Sequence, residues 1–234
     1  MFYYYDPTYS LVLIGIVICM LASSRVNHVF RRYASVRSMS GMTGREAAER
    51  ILRANGIYDV QVCHISGHLN DHYDPRNKIL RLSDATYNSP SVAAIGVAAH
   101  ECGHAVQHAV GYAPLKIRGA LVPVANFGST LAWPLILIGL LIRSDAAVLL
   151  INLGILLFSA AVLFQIVTLP VEFNASRRAV QALEKGGMLY GEEIDGTKAV
   201  LRAAALTYVA SAASMILQLL RLIICLLYTS DAAD

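Results

Sequence analysis

The sequence predicts a mainly α-helical integral membrane protein, with about four transmembrane helices and one small α+β region outside the bilayer. Of the 234 residues, 56% are hydrophobic and 15% are charged, whereas soluble proteins carry about 25% charged residues. Four stretches with almost no charge are each long enough to span a bilayer, which takes about 20 residues. The net charge is only +3, so the composition does not indicate a nucleic-acid partner.

The apolar stretches divide the chain into six predicted segments. We assign residues 1–24 to an N-terminal transmembrane anchor, 25–118 to a cytoplasmic region, 119–171 to a transmembrane hairpin, 172–202 to a cytoplasmic helix, 203–227 to a C-terminal transmembrane helix and 228–234 to an atypical tail. Pro123 and Pro134 lie in the first span of the hairpin, where neighbouring helices can satisfy the carbonyl groups that proline frees. Arg221 is the single charge of the last span, and this scarcity of ionisable residues argues against a transporter.

The distribution of arginines predicts the orientation. The first six residues contain an acid and no Lys or Arg, so the first span does not resemble a signal peptide, which starts with positive charge. Basic residues follow the span instead, and the positive-inside rule then places 25–118 in the cytoplasm and the N-terminus outside. These residues are Arg25, Arg31, Arg32, Arg37, Arg45, Arg50 and Arg53. The outer side would hold the short hairpin link at 143–145 and an aromatic anchor made of Tyr3, Tyr4, Tyr5 and Tyr9.

Local patterns predict helices and short strands within residues 25–118. Apolar residues at helical spacing indicate a helix over 44–55. Alternating apolar residues indicate strands near 60–65 and over 78–82, separated by a loop. A longer helix is expected over 90–110, with Ser89 as its N-cap, Pro90 in its first turn and Gly111 at its C-terminal cap.

The longer helix contains the sequence His100-Glu101-Cys102-Gly103-His104, which has the pattern His-Glu-x-x-His. Residues four apart differ by about 40° around a helix, so both imidazoles face one point and can bind one zinc ion. Glu101 lies beside that point, where its carboxylate can serve as general base for zinc-activated water. Cys102 should point away, and Gly103 should mark the close approach of another element. The motif makes residues 25–118 a zincin-like catalytic region.

A catalytic zinc ion needs a third protein ligand and one open position. No histidine follows His104 at the spacing typical of metzincins. Glu172 is the best candidate, because the second and third spans return the chain to the cytoplasm just before it. An acidic residue at this place would also suit the start of a helix. The alternative third ligands are Glu184, Glu192 and Glu193.

Four stretches resemble the YugP-type membrane-bound neutral zinc metallopeptidases, whose motif is of the gluzincin type. These stretches are DHYDPRNKILRLS, AAIGVAAHECGHAVQHA, LPVEFNASRRA and VLRAAALTYVA. The resemblance implies a zinc cofactor, peptidase activity and a bacterial inner membrane, and it supports Glu172 as third ligand. It also implies that the strand over 78–82 binds the substrate. Two features depart from the family: Asn174 stands where an acid is expected, and the tail from Cys225 is acidic where basic residues are expected.

A further group should stabilise the oxyanion that forms during hydrolysis. Tyr208 is our candidate, because it lies near the cytoplasmic end of the last span. A tyrosine at that depth can also be an interfacial aromatic residue. Other candidates for the same role are Arg177, Arg178 and His108.

The sequence therefore predicts a multi-pass, membrane-bound zinc endopeptidase of the bacterial inner membrane, with its catalytic region in the cytoplasm. The expected partners are the bilayer and a peptide or membrane-protein substrate. The alternative is a non-catalytic membrane scaffold, whose structural zinc would be closed by a fourth ligand. Cys63, His68 or His72 would supply that ligand, but an intact Glu101 favours the enzyme.

Overall fold

The computed structural model describes residues 7–142 and 146–231. Its elements follow in the order α1 (Tyr9–Ala34), α2 (Gly44–Ala54), β1 (Gln61–His64), β2 (His72–Asp74), β3 (Ile79–Leu82), α3 (Val92–Ala109), α4 (Ala113–Leu141), α5 (Ala146–Lys185) and α6 (Glu192–Asp231). They form two compact units, called below the apolar unit (Met1–Ala22, Ile117–Leu169 and Thr207–Asp234) and the mixed unit (Ser23–Lys116 and Pro170–Leu206). The predicted fold class, mainly helical with a small α+β region, is confirmed.

Four helices of the described chain, α1, α4, α5 and α6, are long and apolar enough to cross a membrane, as the sequence predicts. Pro123 and Pro134 both lie inside α4. Within the apolar unit, a Cβ atom at Gly154 would lie 2.9 Å from the carbonyl oxygen of Ala132; glycine permits such close helix packing in membranes. Three predicted features lie outside the described residues, namely the link at 143–145, the tyrosines at 3–5 and the last residues of the tail, 232–234.

The mixed unit contains a three-stranded sheet with the strand order β1-β3-β2. β1 runs parallel to β3, and β2 runs antiparallel to it with Tyr73 opposite Leu80. The side chains of Leu80 and Leu82 are fully buried. They belong to one apolar core with Ile51 of α2 and Ile95 of α3. The sheet therefore packs with the helix that carries the His-Glu-x-x-His motif.

Four local predictions differ from the structure. Residues 172–202 are not one separate helix: they comprise the end of α5, which ends at Lys185, a turn, and the start of α6 at Glu192. Helix α3 begins at Val92, because Ser91 and not Ser89 is the N-cap; the Ser91 hydroxyl accepts a hydrogen bond from the N–H of Ala94 at 3.2 Å. The predicted loop contains β2, a strand of three residues. The resemblance implied that the strand over 78–82 binds the substrate. Both edges of β3 are already paired with β1 and β2, so a substrate strand cannot add to the sheet there. β1 and β2 are the edge strands of the sheet.

Candidate metal centre

Helix α3 directs two imidazoles toward one point. His100 and His104 lie one turn apart, and their ring centroids are 4.8 Å from each other. Cys102 is fully buried, and its thiol donates to the carbonyl oxygen of Ala48 in α2 at 3.6 Å. The thiol therefore packs toward α2, away from the two histidines, as the helical spacing predicts.

Helix α5 brings a carboxylate to the two imidazoles. Glu172 Oε2 lies 3.3 Å from His100 Nε2 and 3.5 Å from His104 Nε2, and the ligand atoms of the three residues lie within 4.8 Å of one another. Two ligands of a tetrahedral zinc ion, each at about 2.0–2.1 Å, stand about 3.4 Å apart. Two imidazole nitrogens and one carboxylate oxygen are also donors that zinc accepts. The residues present therefore fit a zinc ion.

The packing of α3 on α5 depends on Gly103. A Cβ atom at this position would lie 2.5 Å from the carbonyl oxygen of Ala175 and 3.0 Å from its Cα. Backbone atoms cannot turn aside as the end of a flexible side chain can, so a larger residue would separate the helices that carry His104 and Glu172. The prediction that Gly103 marks a close approach is confirmed.

Each imidazole is also held at its second nitrogen. His100 Nδ1 lies 3.1 Å from Ser176 Oγ, and His104 Nδ1 lies 3.1 Å from Gln107 Oε1. Hydrogen bonds of this kind orient metal-binding histidines. Neither partner was predicted from the sequence. Helical spacing was the available signal, because Gln107 lies three residues after His104, and Ser176 lies four residues after Glu172.

Glu101 is buried next to the histidines, with 8% of its surface exposed. Its Oε2 accepts a hydrogen bond from the backbone N–H of Tyr73, on strand β2, at 3.0 Å. Burial raises the pKa of Glu101, and the neighbouring imidazoles of His104 and His100 offset this only in part. A general base works best when its pKa lies near the working pH, so the environment of Glu101 suits that role.

The candidates for oxyanion stabilisation lie at different places. Tyr208 is half-buried on α6 and belongs to the apolar unit; its role stays a prediction. His108 is exposed one turn after His104, and its Nδ1 lies 3.0 Å from the hydroxyl of Tyr73. Arg178 donates from Nε to Asn174 Oδ1 at 2.8 Å. The guanidinium of Arg178 is thus bound to a side chain of its own helix.

The three glutamates that were alternative third ligands do not belong to the group formed with His100 and His104. Glu184 pairs with Lys198 at 3.1 Å, and Glu193 accepts a hydrogen bond from the N–H of Met39 at 2.6 Å. Glu192 is exposed at the start of α6. Among the described residues, the single group of three or more metal-binding side chains is the one that contains Glu172.

Comparisons with known proteins identify the family. Residues 8–227 match the family described as "Putative neutral zinc metallopeptidase". Over 210 residues the chain is 48% identical to the "Putative membrane protease YugP" of Bacillus subtilis (strain 168), a match that covers 90% of this chain and 92% of that protein. No solved structure is significantly similar to the chain. The chain therefore belongs to this family of neutral zinc metallopeptidases.

Proposed function

We propose that this protein is a membrane-bound, zinc-dependent endopeptidase. The observation that carries the proposal is the convergence of His100, His104 and Glu172, whose ligand atoms lie within 4.8 Å of one another, beside the buried carboxylate of Glu101. Membership of a family of zinc metallopeptidases supports zinc as the metal. The similarity to a membrane protease supports peptide bonds as the substrate class.

In this proposal His100, His104 and Glu172 hold the zinc ion. When bound, zinc supplies Lewis acidity, which acidifies water and polarises a carbonyl group. Glu101 takes a proton from the attacking water as the new C–O bond forms, and it later donates this proton to the leaving amine as the peptide C–N bond breaks. The N–H of Tyr73 keeps the Glu101 carboxylate oriented. We assign stabilisation of the oxyanion to Tyr208.

A non-catalytic zinc scaffold is the alternative function. Structural zinc sites are closed by four protein ligands, whereas the metal-binding group within the described residues contains three. Cys63, His68 and His72, which would supply a fourth ligand, do not belong to that group. An open position next to a buried carboxylate with a raised pKa favours catalysis.

The two functions are separated by an assay of the purified full chain in detergent. We expect about one zinc ion per chain, because the three ligands form one site. Hydrolysis of an unstructured protein substrate such as casein should stop when a chelator removes the metal, and it should return when zinc is added back. A protein that binds stoichiometric zinc but hydrolyses neither casein nor a mixed peptide library would instead support the scaffold.

We further infer that the catalytic residues face the cytoplasm of a bacterial inner membrane. The arginines that follow the first span support this orientation. Glu172 directly follows the third predicted span in the sequence, so one ligand belongs to a segment next to the bilayer. This adjacency favours membrane proteins and their juxtamembrane segments as substrates.

The orientation predicts that a cysteine at Asn55 is closed to reagents outside the cell. Asn55 is exposed at the end of α2. In an Asn55→Cys variant that lacks the natural Cys19, Cys63 and Cys225, a membrane-impermeant maleimide should label the protein only after the cells are permeabilised. Asp6→Cys in the same background is the control, because Asp6 precedes the first spanning helix, which begins at Tyr9; it should be labelled in intact cells. Labelling of Asn55→Cys in intact cells would reverse the orientation.

A further inference from the structure

We propose that Gln107, Asn174 and Arg178 form a directional chain of hydrogen bonds that sets the tautomer of His104, and that they act as positioning residues of the metal centre. The inference rests on the proposed zinc site, and it adds to that site the groups that prepare one ligand for the metal. All of these residues belong to the mixed unit.

The direction of the hydrogen bonds is set by two groups, one that can only accept and one that can only donate. The carbonyl oxygen of Val171 can only accept, and it lies 2.8 Å from Gln107 Nε2. The Nε of Arg178 can only donate, and it lies 2.8 Å from Asn174 Oδ1. Asn174 Oδ1 is therefore an acceptor, and it also lies 3.0 Å from Gln107 Nε2. Both hydrogens of the Gln107 amide are thus donated, one to Val171 and one to Asn174.

The other end of the Gln107 amide must then be its oxygen, which can only accept. This Oε1 lies 3.1 Å from His104 Nδ1, so Nδ1 carries a hydrogen. A neutral imidazole with its hydrogen on Nδ1 has its lone pair on Nε2. His104 Nε2 is the atom that lies 3.5 Å from Glu172 Oε2, so the chain selects the tautomer that a zinc ligand at this point requires.

Burial makes this selection effective. Gln107 is fully buried, so water does not compete for its three hydrogen bonds, and leaving a buried amide unsatisfied is costly. The hydrogen bond of the other histidine has no fixed direction, because the hydroxyl of Ser176 can donate to His100 Nδ1 or accept from it. The two imidazoles therefore differ: the tautomer of His104 is set by the protein, whereas that of His100 is free to follow the metal.

The same series of hydrogen bonds accounts for asparagine at position 174, where the resemblance led us to expect an acid. Asn174 uses its oxygen as an acceptor for two donors, Gln107 and Arg178. A carboxylate would accept from both in the same way. Asparagine at position 174 can therefore accept both hydrogen bonds, as a carboxylate would.

The test measures the zinc dissociation constant by competition with a chelator, a readout that does not depend on hydrolysis. Gln107→Met keeps the length of the side chain but removes its hydrogen bonds, and Gln107→Glu keeps an acceptor for His104 but offers no hydrogen to Val171 or Asn174. We expect both variants to bind zinc about 10- to 100-fold more weakly, the usual effect of losing an outer-shell partner. Asn174→Leu should weaken zinc binding as well, whereas Asn174→Asp should rescue it.

Gln181→Met is the matched control, because it makes the same change at an exposed position of α5; it should keep the wild-type zinc affinity. Cobalt(II) in place of zinc gives a second readout, since its visible spectrum should change in Gln107→Met but not in the control. Wild-type zinc affinity and an unchanged cobalt spectrum in Gln107→Met would overturn the inference.

If Gln107→Met and Gln107→Glu do not fold, the two Asn174 variants test the inference. Equal zinc affinity in Asn174→Leu and Asn174→Asp would contradict the proposed chain of hydrogen bonds. Loss of hydrolysis in a Gln107 variant with unchanged zinc affinity would overturn this inference but leave the proposed endopeptidase standing. A wild-type chain that binds no zinc would overturn both.

Discussion

Replacing Glu101 with glutamine is expected to lower kcat/KM for peptide hydrolysis by about 10²- to 10⁴-fold, the contribution of a general base. Glutamine has the shape of glutamate and can still occupy the space next to Tyr73, but its amide cannot take a proton from water. Because Glu101 is not one of the three residues of the metal-binding group, the variant should retain its zinc. Hydrolysis rates and metal content should be measured on the same detergent-purified sample.

Glu184→Gln is the matched control for this variant. Glu184 is an exposed glutamate of α5 that pairs with Lys198, so the same substitution there removes a surface ion pair and should leave both zinc and activity unchanged. If Glu101→Gln hydrolysed peptides at the wild-type rate, the base would have to be another group. If it lost its zinc, Glu101 would have to be treated as a ligand.

Glu172→Ala is expected to lose zinc and, with it, activity. Only two imidazoles would remain to bind the metal, and the loss of a direct ligand should exceed the roughly 10- to 100-fold effect of an outer-shell change. Glu172→Asp should fall between the alanine variant and the wild type, because the carboxylate is kept but withdrawn by one methylene group. Metal analysis after dialysis against a weak chelator measures the order of the three proteins.

Glu192→Ala provides the comparison for the Glu172 variants, since Glu192 is exposed and was an alternative ligand on sequence grounds. It should bind zinc as the wild type does. Stoichiometric zinc and normal hydrolysis in Glu172→Ala would remove Glu172 from the site and would return the search to Glu184, Glu192 and Glu193.

The sequence predicts those parts of the molecule that local spacing determines. The four apolar helices follow from composition and length, and the facing of His100 and His104 follows from a separation of four residues on one helix. Local spacing could not identify Glu172 as a ligand, because this residue lies far from the motif in the sequence. It became a candidate through topology, since two spans return the chain to the side from which it started.

The remaining features depend on contacts that no local pattern records. The partner of Glu101 is a backbone N–H of Tyr73, and a backbone group has no residue type by which a sequence can reveal it. Strand β2 has only three residues, too few for an alternating pattern to stand out. Ser89 was predicted as the N-cap, but Ser91 also carries a hydroxyl, and it is the Ser91 hydroxyl that reaches a helical N–H in the folded chain.

The position of Cys102 has a consequence for the choice of metal and for oxidation. Its thiol lies within the motif itself, between Glu101 and Gly103, yet it is fully buried and donates to Ala48, and burial raises its pKa well above the usual value. A thiolate near the histidines would attract soft ions such as copper(I). Because the thiol stays protonated and faces the other side of the helix, the donor set keeps only nitrogen and oxygen. Peroxide reacts with exposed thiolates, so oxidising conditions that inactivate cysteine peptidases should leave this centre chemically intact.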